Sequence, residues 1–166
     1  MKNTATRFTA VLLVLGLTVP GAAFAASASA NLSVTATVDS VCTISIFGVL
    51  AFGAYDPTAV ADKTGTGTVR IKCTKGTQAD IGLGLGLNAS GSIRRMVSGA
   101  EFLTYEMYKE GAHTNIWGDL TTARLNAGVA ANNGNQDFTV HGNIVAGQNV
   151  TGGFAFSDTV AARVDF

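Results

Sequence analysis

The most regular alternation in the chain is Asn31-Leu32-Ser33-Val34-Thr35-Ala36-Thr37-Val38, where polar and apolar residues exchange places without a break. A period of two is the signature of an extended strand. Leu32, Val34, Ala36 and Val38 then share one side and Asn31, Ser33, Thr35 and Thr37 the other, so one side asks for burial. The Asp39-Ser40-Val41-Cys42 that follows holds no Gly, no Pro and no Asn-Gly pair. Nothing in it folds the strand back on its successor as a hairpin.

The same period recurs downstream. Residues 41–47 put Cys42, Ile44 and Ile46 in phase, 68–74 do so for Val69, Ile71 and Cys73, and 102–108 for Leu103, Tyr105 and Met107. A further strand carries Phe138, Val140 and Ile144, and the last, over 159–166, carries Val160, Ala162, Val164 and Phe166. Between these, Phe47-Gly48-Val49-Leu50-Ala51-Phe52-Gly53 brackets a short apolar turn. Residues 54–67, punctuated by Tyr55-Asp56-Pro57 and Gly65-Thr66-Gly67, read as a loop, as do 120–136, and Ala146-Gly147-Gln148-Asn149 reads as a turn. The turn-rich stretch 89–100 centres on Arg94-Arg95, which reads as a solvated rim. About seven short strands between turn signals predict a β-sandwich. The chain stops inside its last alternating strand, which leaves such a sandwich short of an edge.

Ile81-Gly82-Leu83-Gly84-Leu85-Gly86-Leu87 has the glycine density of a phosphate loop, but such a loop joins a strand to a helix N-terminus, and here a strand alternation continues to Asn88. The expectation is a strand with Ile81, Leu83, Leu85 and Leu87 on the core face. Its bare glycine face marks close approach of another backbone, with a neighbouring molecule as the candidate.

Composition changes the picture at the N-terminus. Lys2 and Arg7 precede an apolar run from Phe8 to Val19, then Pro20-Gly21 and Ala23-Phe24-Ala25 before Ala26. This is a secretory signal over residues 1–25 with a small-x-small cleavage site, and the run falls well short of the roughly 20 residues a spanning helix needs. Cleavage removes two of eleven basic residues and none of eleven acidic ones, so the exported chain carries a net charge of −2. That balance excludes nucleic acid and anionic membranes as partners. Only Pro57 remains of the prolines, and a chain rich in Gly, Ala, Thr and Val favours strands and turns over helices.

Both cysteines, Cys42 and Cys73, lie in the exported part and point inward with the apolar sets of their strands. In an oxidising compartment the pair reads as one disulfide. Closing a loop of about 32 residues contributes roughly 3.7 kcal/mol in the chain-entropy account. The alternative, a metal site, lacks CxxC spacing and a nearby His. Catalytic chemistry is equally bare. His113 falls in a loop and His141 in the polar phase of a strand, with no HExxH, no paired carboxylates and no nucleophile elbow, so no catalytic residue, metal, cofactor or small-molecule substrate is expected. Trp117, Tyr105 and Tyr108 read as core or rim aromatics, with a sugar-stacking platform as the functional alternative.

Three motifs in order carry a resemblance: Phe47-Gly48-x-Leu50-x-Phe52-Gly53 after the first cysteine; Tyr105-x-x-Tyr108-Lys109-x-x-x-His113-Thr114-Asn115-x-Trp117-Gly118-Asp119; and Ala146-Gly147-Gln148 followed by Ser157-Asp158-Thr159-Val160-x-x-x-Val164-x-Phe166. Together, over essentially the whole exported chain, they resemble the spore coat protein U domain, the domain of archaic, Csu-type chaperone–usher pilins of Gram-negative bacteria. The resemblance implies an all-β, incomplete immunoglobulin-like sandwich that lacks its final strand and is completed by donor-strand exchange. A periplasmic pilus chaperone fills the groove first, and an extension from a neighbouring pilin subunit replaces it at the outer-membrane usher. It implies a division into a signal peptide (1–25), a donor extension (26–40) and a pilin domain (41–166). Leu32, Val34, Ala36 and Val38 become the donor residues of a cell-surface fibre for adhesion and biofilm formation. A coat protein on the same domain and a secreted sugar-binding module are the alternative readings.

Overall fold

The computed structural model describes residues 25–166, so the leader expected at 1–25 lies outside the described residues except for Ala25. The chain divides into two units, Met1–Ala36 and Thr37–Phe166. In the first, residues 25–36 are exposed and carry no regular secondary structure. The second unit contains all the strands found among the described residues: β1 (Cys42–Ile46), β2 (Lys63–Cys73), β3 (Gln78–Leu83), β4 (Arg94–Ser98), β5 (Glu101–Tyr108), β6 (Leu125–Val129), β7 (Asn135–Ile144) and β8 (Ala162–Asp165). One sheet runs β1-β2-β7-β5-β4 and the other β6-β3-β8. All pairings between strands are antiparallel. This is the expected all-β, immunoglobulin-like sandwich.

The period-two pattern translates directly into burial. Val69, Ile71 and Cys73 of β2, Leu103, Tyr105 and Met107 of β5, and Val140 and Ile144 of β7 all point into one core shared with Ile81 and Leu83 of β3. Cys42 and Cys73 stand opposite each other in the β1–β2 register and are joined as a disulfide, tying the edge strand β1 to its neighbour.

Five expectations need correction. The loop assigned to 54–67 ends early, because β2 begins at Lys63 and takes in Gly65-Thr66-Gly67. Those glycines are strand residues over which another backbone passes. A Cβ on Gly65 would lie 2.7 Å from the Ala51 carbonyl oxygen and one on Gly67 3.1 Å from Leu50. The 81–87 run stops being a strand at Leu83, and Leu85 and Leu87 are exposed. Its glycines do face close neighbours, but these belong to the same chain: Asp119 for Gly82, Ala161 for Gly84 and Asp158 for Gly86. Gly86 also has φ +92°, which ends the alternation. The loop assigned to 120–136 contains β6, an Asn- and Gly-bearing strand of low intrinsic propensity that forms because β3 offers it an edge, across a bulge between Ala79 and Asp80. The last strand is shorter than expected, with β8 starting at Ala162.

The fifth correction concerns Arg94, which is no solvated rim. It opens β4 with its side chain fully buried. Its Nη2 donates to the carbonyl oxygens of Leu83 (2.9 Å), Gly84 (2.8 Å) and Trp117 (2.9 Å), its Nε donates to Gly84 O (3.0 Å), and Nη1 pairs with the Glu106 carboxylate. One guanidinium thereby joins β4 and β5 of the first sheet to the end of β3 in the second. Arg95 behaves as a rim residue, stacked 4.0 Å over the Phe102 ring. Replacing Arg94 by Met would leave three carbonyls and a carboxylate without their donor. The expected loss is about 3–5 kcal/mol in chemical denaturation, with Arg94→Lys also destabilising because an ammonium lacks the planar fork.

Candidate functional site

Along one side of the sandwich the two sheets leave a deep apolar groove of ≈ 910 Å³. Its floor is core: Val69, Leu83, Leu103, Tyr105, Met107, Val140 and Ile144. One wall is the stretch after β1, with Leu50 and Phe52, and the other is the stretch before β8, with Val150, Phe156 and Val160. Among the described residues, Asp158 is the sole carboxylate in the lining. Hydrocarbon and backbone dominate the lining, to which neither His113 nor His141 contributes, so the groove is suited to receiving apolar side chains.

The first wall explains the Phe-Gly motif. Phe47 N–H donates to Thr68 O (2.9 Å) and Thr68 N–H to Gly48 O (3.3 Å), carrying the β1–β2 ladder past Ile46. The chain then crosses the inner face of the first sheet over Gly65, Gly67 and Gly142. A Cβ on Gly142 would sit 2.7 Å from the Phe52 ring and 2.8 Å from Leu50. The glycines create the seat in which Leu50 and Phe52 lie, and Phe52 meets the Tyr105 ring edge-on at 6.1 Å.

The second wall is held by the C-terminal motif. Ser157 and Val97 exchange backbone hydrogen bonds of 2.9 and 3.1 Å, closing the outer edge of β4. Asp158 then accepts from the N–H groups of Leu87 (3.0 Å) and Asn88 (3.2 Å), from the Asn88 amide (2.9 Å) and from the Tyr105 hydroxyl (2.7 Å). Burial together with the adjacent Asp158 carboxylate pushes the Tyr105 phenol far above its ordinary value, so it remains a donor. Gln148 acts as a surrogate strand partner. Its Oε1 accepts from both N–H (2.8 Å) and hydroxyl (2.7 Å) of Thr104, and its Nε2 donates to Thr104 O (2.8 Å). Its own N–H donates to the Tyr55 hydroxyl (2.9 Å), which donates to Val145 O (3.0 Å).

Beside this groove lies β8, the end strand of its sheet. It pairs with β3 through Asp80↔Asp165 to Leu83↔Ala162, and among the described residues no strand pairs with its other side. An apolar groove therefore runs next to an unpaired row of backbone donors and acceptors.

The remaining motif is structural. Trp117 is fully buried, with its indole N–H donating to Ile81 O (2.8 Å), so it cannot stack on a sugar. Glu110 caps the turn that delivers it, accepting from Thr114 N–H (2.9 Å) and hydroxyl (2.6 Å) and from Asn115 N–H (2.8 Å). Of the residues expected to insert into a neighbour, Leu32, Val34, Ala36 and Val38 are all exposed, and residues 25–41 form no strand. Sequence reasoning missed Leu50, Phe52, Gln148 and Asp158 as builders of the groove, although all four lie in the Phe47–Gly53 and C-terminal motifs that carry the resemblance.

A family model described as the Spore Coat Protein U domain matches residues 28–163. The chain belongs to this family. Protein U of Myxococcus xanthus is 36% identical over 185 aligned residues that span 100% of both proteins. Among solved structures, the fold is similar to the CsuC–CsuE chaperone–tip adhesion subunit pre-assembly complex from archaic chaperone–usher Csu pili of Acinetobacter baumannii. The TM-score is 0.52 at 24% identity, covering 78% of this chain and 40% of that one. The residues that build both walls of the groove fall within the stretch that the Spore Coat Protein U domain model matches.

Two outcomes test this account of the walls. Tyr105→Phe removes a hydroxyl from a carboxylate that keeps its amide donors, with an expected cost of about 1.5–3 kcal/mol in thermal or chemical unfolding. The hydrogen bonds from the Thr114 hydroxyl and the neighbouring N–H groups hold the Glu110 carboxyl at about 2, below its ordinary 4.5. A depressed carboxyl stabilises above its ordinary value and loses that contribution as pH falls through its folded one. Amide resonances of Thr114 and Asn115 should therefore hold their positions above pH 4.5 and shift as pH falls toward 2.

Proposed function

We propose that this protein is a structural subunit of a surface fibre that polymerises by strand addition. Segment 31–38 of one copy lies in the groove of another, with Leu32, Val34, Ala36 and Val38 among the core side chains and its backbone paired with the open edge of β8. The observation that carries this reading is the apolar groove of ≈ 910 Å³ beside the unpaired edge of β8. Strand addition draws affinity from main-chain hydrogen bonds and selectivity from alternate side chains in pockets. Full burial of Leu32 and the two valines contributes about 1.5–3 kcal/mol each, and Ala36 less. Each copy donates with one surface and accepts with another, and a heterologous contact that does not close makes a fibre.

In this reading residues 1–25 direct export and are removed, 26–40 form the donor extension, and 41–166 form the accepting domain. A groove this apolar needs cover before assembly, so a periplasmic chaperone and an outer-membrane usher are the partners, and the product is a fibre on the cell surface used in adhesion and biofilm formation. The family description also supports a coat assembly built on the same domain. Val34→Lys should leave the domain folded and able to bind its chaperone, while electron microscopy finds no extended polymers; normal polymers from this variant would refute the assignment.

A further inference from the structure

Segment 31–38 is tethered to a chain that carries its own groove. A tethered ligand acts at an effective concentration of about millimolar, so insertion into the same molecule wins over insertion into a dilute neighbour unless geometry forbids it. The link that would have to reverse is Asp39-Ser40-Val41, immediately before β1.

That link is held by Thr74, the first residue beyond β2. The Thr74 N–H donates to Val41 O at 2.9 Å, while its hydroxyl accepts from Val41 N–H at 3.2 Å and donates to Asp39 O at 3.1 Å. The hydroxyl also lies 3.5 Å from Val41 O, but it has one proton and the Asp39 oxygen is nearer. Asp39 C=O and Val41 N–H are backbone groups of alternate residues, which an extended chain presents to the same side. One side chain thus prolongs toward the N-terminus the β1–β2 ladder that ends at Cys42↔Cys73, where the disulfide also holds the chain. Reversal within 39–41 would break both hydroxyl contacts, in a link that reaches about 10 Å at full extension and contains no Gly or Asn to make the turn.

We propose that Thr74 is a positioning residue that keeps residues 39–41 extended and thereby directs segment 31–38 to a second copy instead of its own groove. The inference rests on the reading of 31–38 as the inserted strand. It is tested on the exported full-length product with its disulfide intact, as wild type, Thr74→Val, Thr74→Ser and a chain with Asn-Gly inserted between Ser40 and Val41. Size-exclusion chromatography separates monomer from oligomer, and proteolysis with mass spectrometry reports whether 26–40 is protected within the monomer.

Thr74→Val, which loses both hydroxyl hydrogen bonds, should raise the protected monomer at the expense of oligomer by at least the roughly 2–10-fold that a single lost hydrogen bond produces. Thr74→Ser should behave as wild type, and the insertion should exceed Thr74→Val. An unchanged partition in Thr74→Val overturns the role of Thr74, and an unchanged partition in the insertion chain overturns the constraint on residues 39–41; if Thr74→Val fails to fold, Thr74→Ala takes its place. Val34→Lys separates the two levels. Oligomers unaffected by Val34→Lys would refute the inserted-strand reading itself, whereas oligomers lost in Val34→Lys but indifferent to Thr74→Val and the insertion would refute only the role of Thr74.

Discussion

The buried guanidinium of Arg94 holds together parts of the fold that hydrocarbon alone would leave free to slide. Its donors reach the end of β3, the carbonyl of Trp117 and the Glu106 carboxylate, so two sheets and the turn between them share one polar pin. A charge so placed is tolerable because every neighbour is an acceptor in good geometry, and it is directional where apolar packing is not. Leu83 and Tyr105, both floor residues of the groove, sit on the backbone that this pin positions.

The groove imposes the opposite constraint. A sandwich normally closes its core by packing the two sheets along their length, and here the core side chains Val69, Leu103 and Val140 border open space. The walls must therefore keep their shape without the packing that a full core supplies. Polar clamps take that place: Gln148 on the Thr104 backbone, Asp158 on Tyr105 and Asn88, the Val97–Ser157 bridge, and the disulfide at the start of β1. The family motifs of the chain are mostly these clamps and the glycine seat of Leu50 and Phe52, which is why a fold with so plain a surface carries such particular residues.

The proposed strand addition would join stability to assembly. The side chains that would complete the core are those of an exposed segment that forms no strand among the described residues, and the edge that would pair with it is that of β8. In the proposed fibre each domain reaches its full hydrophobic burial only when a second copy supplies it, so folding energy is held back until polymerisation.

Sequence alone determined several of the strands whose side chains alternate with period two, although 31–38, the most regular alternation, forms no strand. The second half of β2, β5 and β7 turn inward the phases that the alternation names, β1 half-buries Cys42 and Ile44 while Ile46 stays exposed, and Cys42 faces Cys73, because in a half-buried strand burial is a local property of spacing. The amphipathic character of 31–38 and its lack of a turn toward β1 were legible for the same reason. Tertiary structure decided everything that depends on what crosses a strand. Gly65 and Gly67 read as loop punctuation until Ala51 and Leu50 are seen to pass over them, and β6 forms only because β3 presents an edge. Arg94 reads as surface until three carbonyls and a carboxylate converge on it, and the groove itself belongs to no stretch of chain. Each of these is a contact between residues far apart in sequence, and local spacing carries no information about which distant backbone will arrive.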